Sequence, residues 1–470
     1  MKKSASFLLL VLTCALTVSS SFAQATLYGV GDLTGGSFYS EVRDATKVGG
    51  IIYAVGDSNA YSSVKGDTGF LWTSSGGITA IPNLVTNTTS TTFVTASAIT
   101  PDGAYIAARL RFQATGNARQ AVVVTTSNLA VQNLGNPGGW SPNSFGTAIS
   151  SDGVLIYGVS TNPSGNIQAA RFGASGPMAG ALAIPFLNPA TDTASFITGR
   201  AVSSDGSIAL GTSGTGGAGQ ASPGNHAFVW NNNTQSVVAV PGPTGNTWSA
   251  SLAINPAGTI AFVVGDSTAN PNGEVWLVSS GGTVTSLGTP YSGWLSTNAG
   301  GIDATGSVVV TAFSADLTSP NVSFIHNNSG WYDLVTAATT AGANLTGWSD
   351  LNALGMSSDG TLVFGSGVFN GNTEGFVLEF ASGYLAAVPE PSTYTAIFGL
   401  SVLGFAAYQR HKSQPDWDHL SLIAISDADL RFLSVANSRL SFAQKFGSQL
   451  LDTVRAGIFS FPQIKQLGDS

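Results

Sequence analysis

The chain has 470 residues, 43% of them hydrophobic, so it can bury a sizeable core, yet only 9% are charged, against about 25% in ordinary soluble domains. The net charge is −8, and residues 26–388 hold eight Lys or Arg against eighteen Asp or Glu, with no Lys or Arg from Ala201 to Gln409. So few cations exclude a nucleic-acid partner, whose phosphates need neutralising.

The first element is an export signal. Met1-Lys2-Lys3 is basic, Phe7 to Val18 is an apolar run of twelve, and Ala23-Gln24-Ala25 is an A-x-A site. Signal peptidase is therefore an expected partner. The preferred cut follows Ala25, with Ala23 as the alternative, so residues 1–25 form the signal helix. The one cysteine, Cys14, lies within it. The mature chain then has neither a disulfide nor a thiol nucleophile.

Residues 26–385 repeat with a period near 50. A glycine follows a turn residue and precedes an apolar run at Gly50, Gly103, Gly153, Gly206, Gly258, Gly306 and Gly360, spaced 53, 50, 53, 52, 48 and 54 apart. Asp-Gly at Asp102, Asp152, Asp205 and Asp359 suits a two-residue type I′ hairpin turn with positive φ at both positions. A second β run follows in each unit, as in Gly69-Phe70-Leu71-Trp72 and His226-Ala227-Phe228-Val229-Trp230. After a polar turn comes a further run, as in Ile78-Thr79-Ala80-Ile81. Gly, Thr and Asn are poor helix formers. The expected fold is all-β: seven four-stranded units in a seven-bladed propeller, almost free of helix. Thr26 to Val30 reads as the last strand of the blade containing Phe376 to Phe380, with Tyr384-Leu385 competing for that place. An aromatic precedes each turn, at Phe38, Phe93, Trp140, Phe196, Trp248, Trp294 and Trp348. It reads as packing between units, with a row of sugar-stacking platforms as the sharper alternative.

No catalytic or metal-binding constellation stands out, and no cofactor is expected. His226 and His326 are the two histidines of the repeats and are about one hundred residues apart. The turn aspartates have a structural reason, with four equivalent carboxylates on one rim as the alternative. The units resemble the HAF-type extracellular repeat, best at His226 to Gly242, which implies a secreted β-repeat.

The C-terminal elements begin with Pro389-Glu390-Pro391-Ser392. Thr393 to Tyr408 is sixteen uncharged residues, followed by Arg410 and Lys412. As a helix that run spans roughly 24 Å, short of an apolar core of about 30 Å, and the basic pair marks its cytoplasmic end. From the residues alone, a membrane helix and a buried helix stand level. This order resembles the PEP-CTERM sorting signal over Val388 to Lys412. The resemblance implies that residues 386–412 form a sorting segment whose Pro389-Glu390-Pro391 is read by exosortase, a membrane cysteine transpeptidase, while helix 393–408 holds the chain in the inner membrane. The tail, 413–470, carries a mostly i, i+4 pattern at Leu440, Phe446, Leu450, Val454 and Ile458, which reads as an amphipathic helix. It reads as a cytoplasmic extension or as a segment foreign to the rest.

The expected function is non-enzymatic. A propeller at the cell surface, or released from it, binds extracellular polysaccharide or a matrix or surface protein. A glycan hydrolase or lyase on the same scaffold and a structural envelope protein without ligand are the alternatives.

Overall fold

The computed structural model describes residues 24–385, apart from 60–67, 83–94, 113–117, 176–178, 216–223, 291–293, 296–299, 315–320 and 328–329. Seven antiparallel sheets follow one another along the chain, forming a seven-bladed propeller. The innermost strands are Ser40–Val48, Thr95–Ile99, Ser144–Ile149, Ala194–Val202, Ser249–Ile254, Gly300–Ile302 and Trp348–Met356. Trp294–Leu295 adds a short piece to the inner edge of blade 6. Each innermost strand is followed by strands stepping outward, such as Ile51–Ser58, Thr68–Thr73 and Gly77–Ala80 in blade 1.

Stacking covers both faces of the middle strands. That is why they read as continuous apolar runs instead of alternating ones: in Ile260–Gly265 every residue after the first is buried. The outermost strands are short, and Gly77–Ala80 and Ala130–Asn133 are mostly exposed; their shortness blunts them as pairing edges.

The turn glycines all have positive φ, from 68° at Gly206 to 93° at Gly306. The type I′ geometry holds only in blade 1, where Gly49 and Gly50 have φ of 57° and 85° and Val48 pairs with Ile51. At the Asp-Gly sites it is corrected: the aspartate stays at negative φ and the loop is four residues long. Gly103 N–H donates to Thr100 O at 2.8 Å and Thr100 N–H to Tyr105 O at 2.9 Å. A side-chain lattice stabilises this wider turn. Asp102 Oδ1 accepts from Thr100 Oγ1 at 2.6 Å and from Ala104 N–H at 3.0 Å. Ser150 with Asp152, Ser203 with Asp205 and Ser357 with Asp359 repeat the hydroxyl-to-carboxylate bond. Each of these aspartates is thus a hydrogen-bond acceptor within its own turn.

A recurrent bond joins neighbouring blades. A serine at the start of an innermost strand accepts from the third strand of the blade before it. The pairs are Ser144 with Ala121 N–H, Ser195 with Ala169, Ser249 with Ala227 and Ser40 with Gly375, each at 2.9 Å. The small residue of each partner strand lets the serine approach, which accounts for Ala227 between His226 and Phe228.

Ala25–Gly29 closes the ring. It pairs antiparallel with Asn372–Phe380, Leu27 opposite Leu378, as the outer strand of blade 7. Tyr384 and Leu385 do not take that place. Tyr384 stacks on Phe380 at 5.5 Å, and Asn327 Nδ2 donates to Leu385 O at 2.7 Å. Both pack into one cluster with Leu334, Ala337 and Ala338. Those three belong to helix α1, Leu334–Thr340, which Asp333 caps by accepting from Thr336 N–H. Among the described residues this helix is the exception to a nearly helix-free propeller.

Among the described residues no helix is long and apolar enough to cross a membrane. The signal helix up to Ala23, the motif Pro389 to Ser392, helix 393–408, Arg410, Lys412 and the tail lie outside the described residues.

Candidate functional site

The innermost strands share a local irregularity. Their pairing skips between Val42 and Asp44, Ala96 and Ala98, Gly146 and Ala148, Ser251 and Ala253, and Ala353 and Gly355. A bulge re-aims a side chain and bends its strand. Blade 4 has the widest one, between Ile197 and Val202, and within it Arg200 adopts φ 56°. A non-glycine residue in that region is held there by its surroundings.

The Arg200 guanidinium crosses the propeller axis. From blade 4 it donates to the carbonyls of Arg43 in blade 1, Gly300 in blade 6 and Leu354 in blade 7. It lies 4.9 Å over the Phe364 ring and 3.9 Å from Asp44 Oδ1. Asp44 accepts from Ala45 N–H at 3.0 Å and from Ile99 N–H at 2.9 Å. Burial pushes the Asp44 carboxyl up to about 6, against the pull of Arg200 and these two N–H groups. Burial also lowers the Arg200 guanidinium from its ordinary range, with Asp44 opposing. Both shifts say that loss of water outweighs the mutual attraction of a pair too far apart to hydrogen bond.

A second group of charges lies on blades 1 and 2, against Phe145 of blade 3. Arg43 Nε donates to Asp57 Oδ2 at 2.6 Å, and Arg43 also pairs with Glu41 at 3.1 Å. The Arg43 side chain is 39% exposed and that of Asp57 only 2%, and Asp57 Oδ1 is buried without a hydrogen-bond partner. Arg109 Nε donates to Thr95 Oγ1 at 2.8 Å. The guanidinium groups of Arg109 and Arg119 lie 5.1 and 5.8 Å from the centre of the Phe145 ring, a cation–π arrangement. Burial pushes the Asp57 carboxyl up to about 6; Arg43 and Arg109 pull it down, and Glu41 adds to the rise.

Asp57 and Arg109 break the repeat. Each stands four residues after a tyrosine in the turn-proximal part of its second strand, Tyr53 and Tyr105. The same phase in the other blades holds Val159, Thr212, Val264, Ala312 and Ser366. A departure from an otherwise consistent pattern marks a site. Comparing second strands at fixed phase finds both residues in the sequence, whereas the search for familiar motifs misses them.

The other candidates do not converge here. His226 and His326 lie in blades 4 and 6; the His326 ring meets Trp331 edge-on at 4.8 Å, and burial lowers its pKa. Among the described residues no group of three His, Cys, Asp or Glu could hold a metal ion. Of the aromatic row, Phe38 is 42% exposed. Trp348 meets Phe369 and Phe376 of its own blade and packs against a cluster that also holds Val309 and Ile325 of blade 6. Phe93 lies outside the described residues.

The buried carboxyls set the expected pH response. Asp44 and Asp57 titrate near 6, above the ordinary 3.8. The folded state holds their protons more tightly, so their contribution to stability is full below 3.8 and is lost as pH rises through about 6. Hydrogen bonds to Asp205, Asp266 and Asp359 lower them against the opposing effect of burial. Their contribution is present above the ordinary value and lost as pH falls. The thermal midpoint of the purified protein is expected to peak between about pH 4 and 6. Asp57→Asn should flatten the alkaline limb. A midpoint that climbs steadily to pH 8 contradicts this.

Residues 387–410 match the PEP-CTERM protein-sorting motif. No curated protein matches the sequence. Among solved structures, the first of the similar ones comes from a study of two prolyl endopeptidases, at 13% identity and TM-score 0.46, covering 73% of this chain and 50% of that one. The chain therefore spans about half the length of that relative. An oligogalacturonate lyase in complex with manganese is 11% identical, with TM-score 0.47 and coverage of 76% and 98%. The β-propeller domain of the Trilobed protease from Pyrococcus furiosus is 9% identical, with TM-score 0.47 and coverage of 73% and 95%. Likenesses this distant say nothing of activity. The chain is thus a seven-bladed propeller that carries a PEP-CTERM protein-sorting motif, the mark of an exported exosortase substrate.

Proposed function

We propose that this is a non-enzymatic propeller with HAF-type repeats, sorted by exosortase at Pro389-Glu390-Pro391 and displayed at or released from the cell surface. There the charged group on blades 1 and 2 binds extracellular polysaccharide. The observation that carries the binding reading is the break in the repeat at Asp57 and Arg109, beside Glu41 and Arg43. Guanidinium and carboxylate groups hydrogen-bond sugar hydroxyls and acidic substituents, and both kinds of group are fixed here by partners. The Ala of the HAF tripeptide has a physical reason in the Ser249 contact.

A second reading, a glycan hydrolase or lyase, is favoured by one feature. Asp57 holds its proton up to about 6, as a general acid does, and Glu41 shares its arginine. The test is affinity electrophoresis of the purified protein in gels containing the host's exopolysaccharide. The wild type should be retarded, and Arg119→Ala should bind about tenfold more weakly. Equal mobility of the protein with and without polysaccharide contradicts the binding reading. New reducing or unsaturated ends in the polysaccharide, lost in Asp57→Asn, establish the enzyme instead.

A further inference from the structure

We propose that signal peptidase cuts between Ala23 and Gln24, so that the mature chain begins at Gln24 and keeps Ala25 in the closing strand. The sequence permits two cuts. Ser21 and Ala23 offer small residues three and one before the first bond; Ala23 and Ala25 do the same for the second. Sequence alone prefers the second, and the fold reverses that preference.

Gln24 and Ala25 are built into the propeller. Ala25 is 4% exposed and lies opposite Phe380 in the last ladder. The N–H groups of Gln24 and Ala25 both donate to Ala341 O, at 2.6 and 3.0 Å. Ala381 N–H donates to Gln24 O at 2.7 Å. Ala341 is the C-cap of α1, so this dipeptide ties the end of that helix to the chain just past the final strand. The same corner holds Phe380, Tyr384 and Leu385 in one apolar cluster with Ala25.

A cut after Ala25 removes all three of these bonds. It leaves Ala381 N–H without this acceptor, and it opens the apolar cluster where Ala25 sat. A cut after Ala23 removes none. One water adds across the Ala23–Gln24 amide, leaving a carboxylate on the leader and an ammonium on Gln24. That ammonium forms beside Ala341 O, at the end of a helix whose last carbonyls lack partners within it. The first two residues of the mature chain thus complete the closure of the ring.

The inference rests on the export reading, and one experiment separates the two. The full chain is expressed in a Gram-negative host, recovered from outside the cytoplasm, and its terminus read by Edman degradation and intact mass, so that a cyclised Gln24 is also recognised. A start at Gln24 supports the inference. A start at Thr26 overturns it and leaves the export reading standing, whereas a chain found only in the cytoplasm and starting at Met1 overturns both. Ser21→Tyr spoils the first site and leaves the second intact. Its product should begin at Thr26 and melt at least about 3 °C lower than the wild type. Equal melting of the two forms shows that the fold does not need Gln24 and Ala25, and overturns the inference.

Discussion

Gly153→Val is expected to lower the stability of the propeller by more than about 2 kcal/mol, read as a shift in the urea midpoint. Two effects add. Gly153 sits at φ 71°, where a β-branched residue is strained. A Cβ there also meets Tyr105 of the preceding blade at 2.4 Å. Gly50 provides the control, because its φ is 85° yet a Cβ meets nothing within 4 Å. Gly50→Ala carries only the backbone cost, whereas Gly153→Ala carries the clash between blades as well. Equal midpoints for the two alanine variants contradict the close approach of turn and neighbour.

Arg200→Met should cost about 3–5 kcal/mol at neutral pH, because it leaves the buried Asp44 carboxylate without its counter-charge. It also removes donors to carbonyls on three other blades. The loss should be smaller at pH 5 than at pH 7.5, since Asp44 takes up a proton near 6 and then needs no partner. Asp44→Asn combined with Arg200→Met should recover part of the stability, which a double-mutant cycle measures. A pH-independent loss, or additivity of the two changes, would show that the guanidinium works by packing alone.

The repeat was legible because each blade needs the same unusual backbone once. Only glycine adopts it without strain, so seven glycines stand at a near-constant interval. Closure by Thr26 to Val30 was legible for a related reason: a short β run with no partner of its own pairs with the last blade. The wider Asp-Gly turns were written in the Ser or Thr two residues before each aspartate, a signal that the Asp-Gly pair alone outweighed. Helix α1 was hidden by its seven residues of Leu, Val, Ala and Thr, a composition equally at home in a strand; Asp333 as cap was the one cue. The Arg200–Asp44 contact joins residues 156 apart in sequence, so no local pattern could announce it. Asp57 and Arg109 lay between these extremes, visible only once the second strands are laid over one another.

The measurement that most directly tests an exosortase-sorted propeller is the intact mass and location of the protein in its native host, beside Glu390→Ala. The wild type should be found at the surface or in the medium with its C-terminus near Pro389-Glu390-Pro391, lacking residues 393–470. The variant should stay with the membrane fraction and keep them. Both prolines fix φ and remove a backbone donor, so the substitution of Glu390 changes the recognised side chain and leaves the stiff segment in place. A wild type that reaches the surface still carrying Ser413 to Ser470, or a variant trimmed and released at the normal rate, contradicts sorting through this motif.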